Sequence, residues 1–213
     1  MSEKYLHTAE DGITRCWWGS DHIDYRLYHD QEWGQPVDDD FQLFEKICLE
    51  GFQSGLSWLT ILRKRENFRS VFINFDFYQV ANFDDNDVAC LLLDAGIIRH
   101  RGKIEATINN ARRAIEIVDE FGSLSAYIWQ WEPCTVEPHI GKGNQDSPIP
   151  SITATSQALS KDLKKRGWKF FGPTTAYAFM QAMGLVNDHQ LGCACHQTIE
   201  KKRKAFIRPI VIK

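Results

Sequence analysis

Apolar residues recur along this chain at helical rather than strand spacing. Phe41, Phe44, Ile47 and Cys48, with Leu43 beside them, share one side of a helix expected over 39–50. Val88, Leu91, Leu92 and Ala95 repeat the pattern ahead of Gly96, which reads as a helix C-cap. Ile104, Ile108, Ala111, Ile115 and Val118 continue it in a longer stretch. Leu159 and Leu163 mark a helix that stops near Gly167, and Tyr177, Met180 and Met183 mark the last clear one. Strict apolar–polar alternation is scarce, so the expected fold class is all-α. A polar, proline-containing stretch over 132–150 reads as a linker.

The chain has 213 residues, enough for one domain or two closely packed subdomains, and its 43% of hydrophobic residues excludes wholesale disorder. No run approaches the 18 or so apolar residues of a membrane span, and the first residues, MSEKYLHTAEDG, lack an export pattern. The expectation is a soluble, cytoplasmic protein with no membrane partner. Its six cysteines are irregularly spaced and read as thiols or metal ligands rather than disulfides. The net charge of −3 argues against a protein that coats nucleic acid, but it hides an asymmetry. Residues 161–213 hold eleven Lys/Arg against three Asp/Glu, on a body that is otherwise acidic. Such a segment is either a local anion-binding surface or a solvated tail.

One basic stretch has a recognisable shape. Lys164, Lys165 and Arg166 end a helix, Gly167 to Phe171 turn the chain, and Gly172 with Pro173 opens the next helix. Proline suits a first helical turn, where its missing N–H costs nothing. The free amides that follow, with the Thr174 and Thr175 hydroxyls and nearby Lys169, suit a phosphate at a positive dipole end. Backbone amides cannot read bases, so DNA held this way would be held without sequence preference. An ordinary helix–turn–helix connection remains the alternative.

A second cluster is aromatic. Tyr25, Tyr28, His29 and Glu32 fall on one face of a helix, and Trp17, Trp18, Trp33 and Trp58 lie close by in sequence. Glu50 projects to the margin of the apolar stripe of 39–50, where a carboxylate is desolvated; it is either a pocket acid or one half of a rim salt bridge. Gly51 and Gly55 frame a turn that would carry Leu56 outward, as a wedge for a base step or as a packing residue. Finally, His189 and Cys193 stand four residues apart near the end of the chain, and Cys16 and His29 near its start could complete a Cys₂His₂ tetrahedron, with Cys195 and His196 as competitors.

The motifs RCWW (15–18), YHDQEWG (28–34), FEKICLEGFQSGLSWLTILRKRENFR (44–69), DAGIIRHRGKI (94–104), LSKDLKKRGWKFFGPTTAYAFMQAMGLVNDH (159–189) and GCAC (192–195) resemble the 3-methyladenine DNA glycosylase I family over nearly all of 15–195. The resemblance implies a helix-hairpin-helix DNA glycosylase fold, its hairpin near 159–186, with a zinc-binding subdomain joining the two ends. It implies one structural zinc on Cys16, His29, His189 and Cys193. It also implies a base pocket of Glu50, Tyr28 and Trp58 lined by Trp33, Tyr25 and Trp18. DNA contacts would come from Gly55, Leu56, Lys169, Gly172, Thr174 and Thr175. The domain boundaries follow: an extension over 1–14, the glycosylase domain over 15–196 and a basic extension over 197–213. The implied activity is monofunctional hydrolysis of the 3-methyladenine N-glycosidic bond in double-stranded alkylated DNA by a monomer. N3 methylation makes the base a good leaving group, so neither a strong acid nor a nucleophilic lysine is needed. Asp188, the carboxylate downstream of the hairpin, abuts a zinc ligand and is given no catalytic role. A non-catalytic damage-sensing module is the alternative; a zinc enzyme fits poorly, because four protein ligands leave no position for water.

Overall fold

The computed structural model describes residues 5–19, 22–138, 140 and 149–211, so the expected linker over 132–150 falls partly outside the described residues. Among these lie eleven α-helices: α1 Ile23–Gln31, α2 Asp40–Gln53, α3 Trp58–Leu62, α4 Arg65–Val71, α5 Phe77–Val80, α6 Asp85–Leu93, α7 Arg101–Phe121, α8 Leu124–Trp129, α9 Ala154–Lys165, α10 Pro173–Ala182 and α11 His196–Ala205. One departure from all-α is a small antiparallel hairpin. Strand β1, Leu6–Thr8, pairs with β2, Thr14–Cys16, and so ties the N-terminal extension to the start of the RCWW motif. A second addition is α11, which continues the chain past the last helix visible in the hydrophobic pattern.

Local chemistry sets most helix boundaries. Asp39, Ser57, Asp76, Ser123 and His100 each accept an N-terminal backbone amide of the helix they precede. Asp84 with Asp87, and Thr153 with Ser156, close reciprocal capping boxes on α6 and α9. The amphipathic α7 ends where Gly122 turns left-handed at φ 88°. Gly96 is not the cap the sequence suggests. Helix α6 ends at Leu93 with Asp94 in extended conformation, and the Asp94 carboxylate accepts the Gly96 amide at 2.6 Å. A Cβ at Gly96 would lie 2.0 Å from Asn67 Nδ2, so any larger residue there would have to displace that side chain.

The central element is α2, packed by α3, α7, α8 and α10. Every residue from Leu43 to Phe52 is buried, so the helix has no solvated face over this stretch. It also runs through Gly51 rather than turning there; a Cβ on Gly51 would come within 3.2 Å of the Phe170 carbonyl, so glycine lets the hairpin approach. Phe44 and Phe52 of α2 pack with Phe68, Phe72, Phe75 and Phe77, all essentially inaccessible. Charges on a helix buried all round must find partners. Glu45 takes Arg69 of α4 at 2.8 Å, and Lys46 takes Glu50 one turn along at 2.8 Å. No described helix is long and apolar enough to cross a membrane.

Candidate active site and metal centre

Helix α1 is short and mostly polar, but Tyr28 and His29 at its centre are both buried and point to different sites. Tyr28 faces a cavity of about 600 Å³ between α1, the C-terminal half of α2, α3 and α10. Of the residues expected there, Tyr28, Tyr25, Trp18, Trp33, Trp58 and Glu50 all line it. Trp17, from the same aromatic cluster, also lines it, and Gln53, Ile149, Ala178 and Gln181 complete the wall; of these four the sequence singles out none, although Gln53 lies one turn beyond Glu50. Trp18 packs edge-on against Trp33 at 4.8 Å and against Tyr25 at 6.2 Å. The Tyr25 hydroxyl accepts the Leu59 amide of α3 at 3.1 Å, which holds that helix against α1. Glu32, grouped with these residues by spacing, instead binds Arg65 at 2.9 Å.

Glu50 is 6% exposed, a carboxylate in a largely aromatic cavity. It is not alone. The Lys46 ammonium lies 2.8 Å from Glu50 Oε1, donates to the Tyr28 hydroxyl at 2.8 Å, and sits 3.5 Å from the centroid of the Trp58 ring. Burial pushes the lysine below its ordinary pKa, with Glu50 opposing that shift. Burial also pushes the Tyr28 phenol well up, and Glu50 adds to the effect, so the hydroxyl stays protonated. The i,i+4 spacing of Lys46 and Glu50 was the available signal for this pair. Lys46 does not line the cavity, and its hydrogen bonds are committed behind it, so it is not placed as a nucleophile.

His29 belongs to the second site. Cys16 at the end of β2, His29, His189 and Cys193 are all buried, with ligand atoms within 4.8 Å of one another. Cys193 Sγ is 3.6 Å from both His29 Nε2 and His189 Nδ1, and Cys16 Sγ is 3.9 Å from His189 Nδ1. A tetrahedral zinc with Zn–S about 2.3 Å and Zn–N about 2.0–2.1 Å needs S···N separations of about 3.5 Å. The donor set therefore fits a structural divalent ion. The outer nitrogens are also placed as a metal site requires: His29 Nδ1 meets Asp30 at 2.8 Å, and His189 Nε2 meets the Trp33 carbonyl at 3.1 Å. The Gln190 amide donates to Cys16 Sγ at 3.3 Å. Of the competitors, Cys195 approaches His29 from the nitrogen already taken by Asp30, and His196 Nδ1 bonds the His189 carbonyl at 2.6 Å. Gly19 makes room for the site, since a Cβ there would lie 2.6 Å from His29 Cγ. Trp33 stacks on His29 and packs edge-on against His189, so the cavity's aromatic wall rests on two of the four clustered side chains.

The hairpin lies between α9 and α10. Gly167 takes φ 85°, Gly172 is the N-cap and Pro173 opens α10. Phe170 also adopts a positive φ, 54°, a strained state for a non-glycine residue. Helix α7 clamps the turn: Asn110 Oδ1 accepts the Lys169 amide at 2.9 Å while its Nδ2 donates to the Lys169 carbonyl at 3.0 Å. Lys164, Lys165, Lys169, Gly172 and Thr174 are exposed, and Thr175 is half-buried. Arg166 is withdrawn, binding Glu120 at 2.6 Å and Asp162 at 2.8 Å. On the neighbouring rim, Gly55 turns at φ 83° and Leu56 is 41% exposed, while Lys103 of α7 caps the end of α2 through the Phe52 and Ser54 carbonyls. Asp188 lies outside the aromatic cavity and accepts Tyr177 and Gln181.

A family model for methyladenine glycosylase matches residues 17–196. The chain is 50% identical to DNA-3-methyladenine glycosylase 1 of Escherichia coli over 184 residues, covering 86% of this chain and 97% of that protein. It is 44% identical to the DNA-3-methyladenine glycosylase of Haemophilus influenzae over 182 residues, 85% of this chain and 97% of the relative. Among solved structures, a crystal structure of 3-methyladenine DNA glycosylase I matches with TM-score 0.77 at 49% identity, covering 85% of this chain and 99% of that one. The Staphylococcus aureus enzyme, solved to define the basis of 3-methyladenine recognition, matches with TM-score 0.77 at 35% identity, covering 85% and 96%.

Proposed function

We propose a division of labour for a chain that belongs to the methyladenine glycosylase family and excises 3-methyladenine from DNA. The hairpin amides at Gly172 to Thr175, with Lys164, Lys165 and Lys169, hold the phosphate backbone without reading sequence. Leu56, carried outward on the Gly55 turn, enters the stack and fills the space left by the extruded nucleotide. The base enters the 600 Å³ cavity and stacks on Trp58, with Trp18, Trp33 and Tyr25 around it. Glu50 and Tyr28 hydrogen-bond its edge.

Methylation at N3 gives the base a positive charge, so it leaves the sugar neutral when the glycosidic bond breaks and water adds to the sugar carbon. The protein's contribution is to orient the base and exclude water around it. A cation over an aromatic face gains only about 0.5–2 kcal/mol. That is too little to reject normal adenine alone, so selectivity combines it with the hydrogen bonds to Glu50 and the lability of the damaged bond. No covalent intermediate with the protein is required, and an abasic site is left. The chain acts as a monomer on double-stranded alkylated DNA in the cytoplasm.

Cys16, His29, His189 and Cys193 hold one zinc ion. Four protein ligands leave no site for substrate, so zinc joins the two ends of the chain and stiffens the wall formed by Trp33 and Trp18. The zinc subdomain is thus part of the base pocket's support.

The observation that carries the assignment is a buried carboxylate, Glu50, in an aromatic cavity beside Tyr28 and Trp58. The test is single-turnover release of free base from methylated duplex DNA. Glu50→Gln should lose roughly ten- to a hundred-fold, the worth of a charge-assisted hydrogen bond of about 1.5–3 kcal/mol. Glu50→Ala is the less informative change, because it leaves the Lys46 ammonium buried and unpaired at a stability cost of roughly 3–5 kcal/mol. Wild-type excision by a folded Glu50→Gln protein would refute the pocket assignment.

A further inference from the structure

Tyr28 and Trp58 form a wall with a different environment on each side. In front is the base cavity, with Glu50 in its lining. Behind it is a small polar pocket bordered by Lys46, Glu32, Glu45, Arg65 and Arg69. Lys46 reaches from the rear to Glu50, Tyr28 and Trp58 together, and it is 5% exposed. We propose that Lys46 is a positioning residue that sets the hydrogen-bond polarity of the base pocket, holding Glu50 as an acceptor and Tyr28 as a donor toward an adenine edge.

An ammonium has three N–H groups and no lone pair. Here it meets the carboxylate, the phenol oxygen and the Trp58 ring face. Because Lys46 must donate to the Tyr28 oxygen, the hydroxyl's own proton is left for another acceptor, and no described residue takes it. The pair thus presents one acceptor, Glu50, and one donor, Tyr28. That order matches adenine, whose N6 amino group donates beside the N7 acceptor; guanine offers two acceptors, O6 and N7, on the same edge. A second consequence concerns charge. The other charged groups around the wall, Glu32 with Arg65 and Glu45 with Arg69, pair with one another, which leaves Lys46 as the counter-charge in contact with Glu50. Tyr25, the remaining titratable side chain of the cavity, is occupied by the Leu59 amide. Removing a contacting cation from a buried carboxylate disfavours its charged form.

This inference rests on the excision activity proposed above. The experiment measures single-turnover excision and free 3-methyladenine affinity against pH for wild type, Lys46→Met, Lys46→Gln and Lys46→Arg, with melting temperatures in parallel. In both neutral variants the acid limb of both profiles should move to higher pH. Above that limb excision should recover, while discrimination against 3-methylguanine should weaken. Lys46→Arg, which keeps the charge, should keep the limb near its wild-type position. A uniform loss at every pH with the limb unmoved would overturn the proposal in favour of a packing role, as would unchanged profiles. Loss of the fold in both neutral variants would overturn it in favour of a stability role. If wild type itself releases no 3-methyladenine, the functional reading fails rather than the role of Lys46.

Discussion

Asn110 joins the hairpin between α9 and α10 to α7, the longest helix among the described residues, and its replacement should separate DNA binding from base recognition. The side chain is 3% exposed and occupies both backbone polar groups of Lys169, at 2.9 and 3.0 Å. In Asn110→Ala both bonds are lost. At about 0.5–1.5 kcal/mol each, the cost is roughly 1–3 kcal/mol, and the neighbouring bond from Asn109 to the Gly167 carbonyl at 2.9 Å loses support as well. For a chain of this size each kcal/mol lowers the melting temperature by about 2–4 °C, so a drop of about 4–8 °C is expected for a central loss of about 2 kcal/mol. If all of that central loss falls on hairpin order, duplex affinity should drop by about thirty-fold. Free 3-methyladenine should bind as before, since Asn110 is not in the cavity lining. Asn110→Asp keeps the acceptor for the Lys169 amide and removes the donor, and should fall between the two. Fluorescence anisotropy on duplex DNA, calorimetry with the free base and thermal melting make the comparison. Equal losses of DNA and free-base affinity would refute the reasoning, and so would a melting temperature and duplex affinity that both stay at wild type.

Other outcomes follow from the same contacts. Freshly purified protein should carry one zinc per chain by metal analysis, and chelation or Cys193→Ala should destabilise it markedly without changing the chemistry of any protein that remains folded; metal-free protein of unchanged stability would refute this. Duplex affinity should fall steeply with salt as phosphate neutralisation releases counterions, and Lys165→Ala should lower the slope of that dependence by about one while Arg166→Ala should not, because Arg166 is taken by Glu120 and Asp162. Deleting 206–213 should cost roughly 2 kcal/mol, from the contact of Phe206 with Trp129 at 4.5 Å and the half-exposed Arg208 on Glu132 at 2.8 Å, and should leave excision intact. Burial pushes the Glu132 carboxyl up, but hydrogen bonds from Arg208 and Arg203 outweigh it and hold the group below its ordinary value. A depressed carboxylate stabilises the fold above its unfolded pKa of about 4.3 and loses that contribution as pH falls through the folded value, so the melting curves of full-length and shortened protein should converge in acid.

That last result bears on the basic C-terminal segment, whose charge alone admits two roles. In the fold, Arg203 donates to the Gly184 and Leu185 carbonyls and, with Arg208, to Glu132, and Lys202 donates to Gln35 Oε1 at 2.8 Å, while Lys201 and Lys204 face outward. Counting lysines and arginines cannot distinguish a cation consumed inside the protein from one offered to DNA. The same limit applied to Arg166.

What the sequence determined by itself was whatever depends on near neighbours along the chain. Helical periodicity located the bodies of α2, α6, α7, α9 and α10, and the pairing of Gly172 with Pro173 marked the start of α10, because these are one-turn interactions. Motif resemblance marked the residues that now line one cavity and one buried cluster of thiols and imidazoles. The errors came where a distant segment decided. Gly96 and Gly51 look like helix terminators, but one exists for Asn67 and the other for the Phe170 carbonyl. Glu50 was placed at the margin of a stripe, whereas α2 is surrounded on every side and the acid needs a buried partner. Only the tertiary structure put Lys46 behind Tyr28 and Trp58, brought Cys16 to His189 across the whole chain, and set Asn110 against the hairpin. Burial and electrostatic pairing are properties of three-dimensional neighbours, and local spacing along a chain carries no record of which segments those will be.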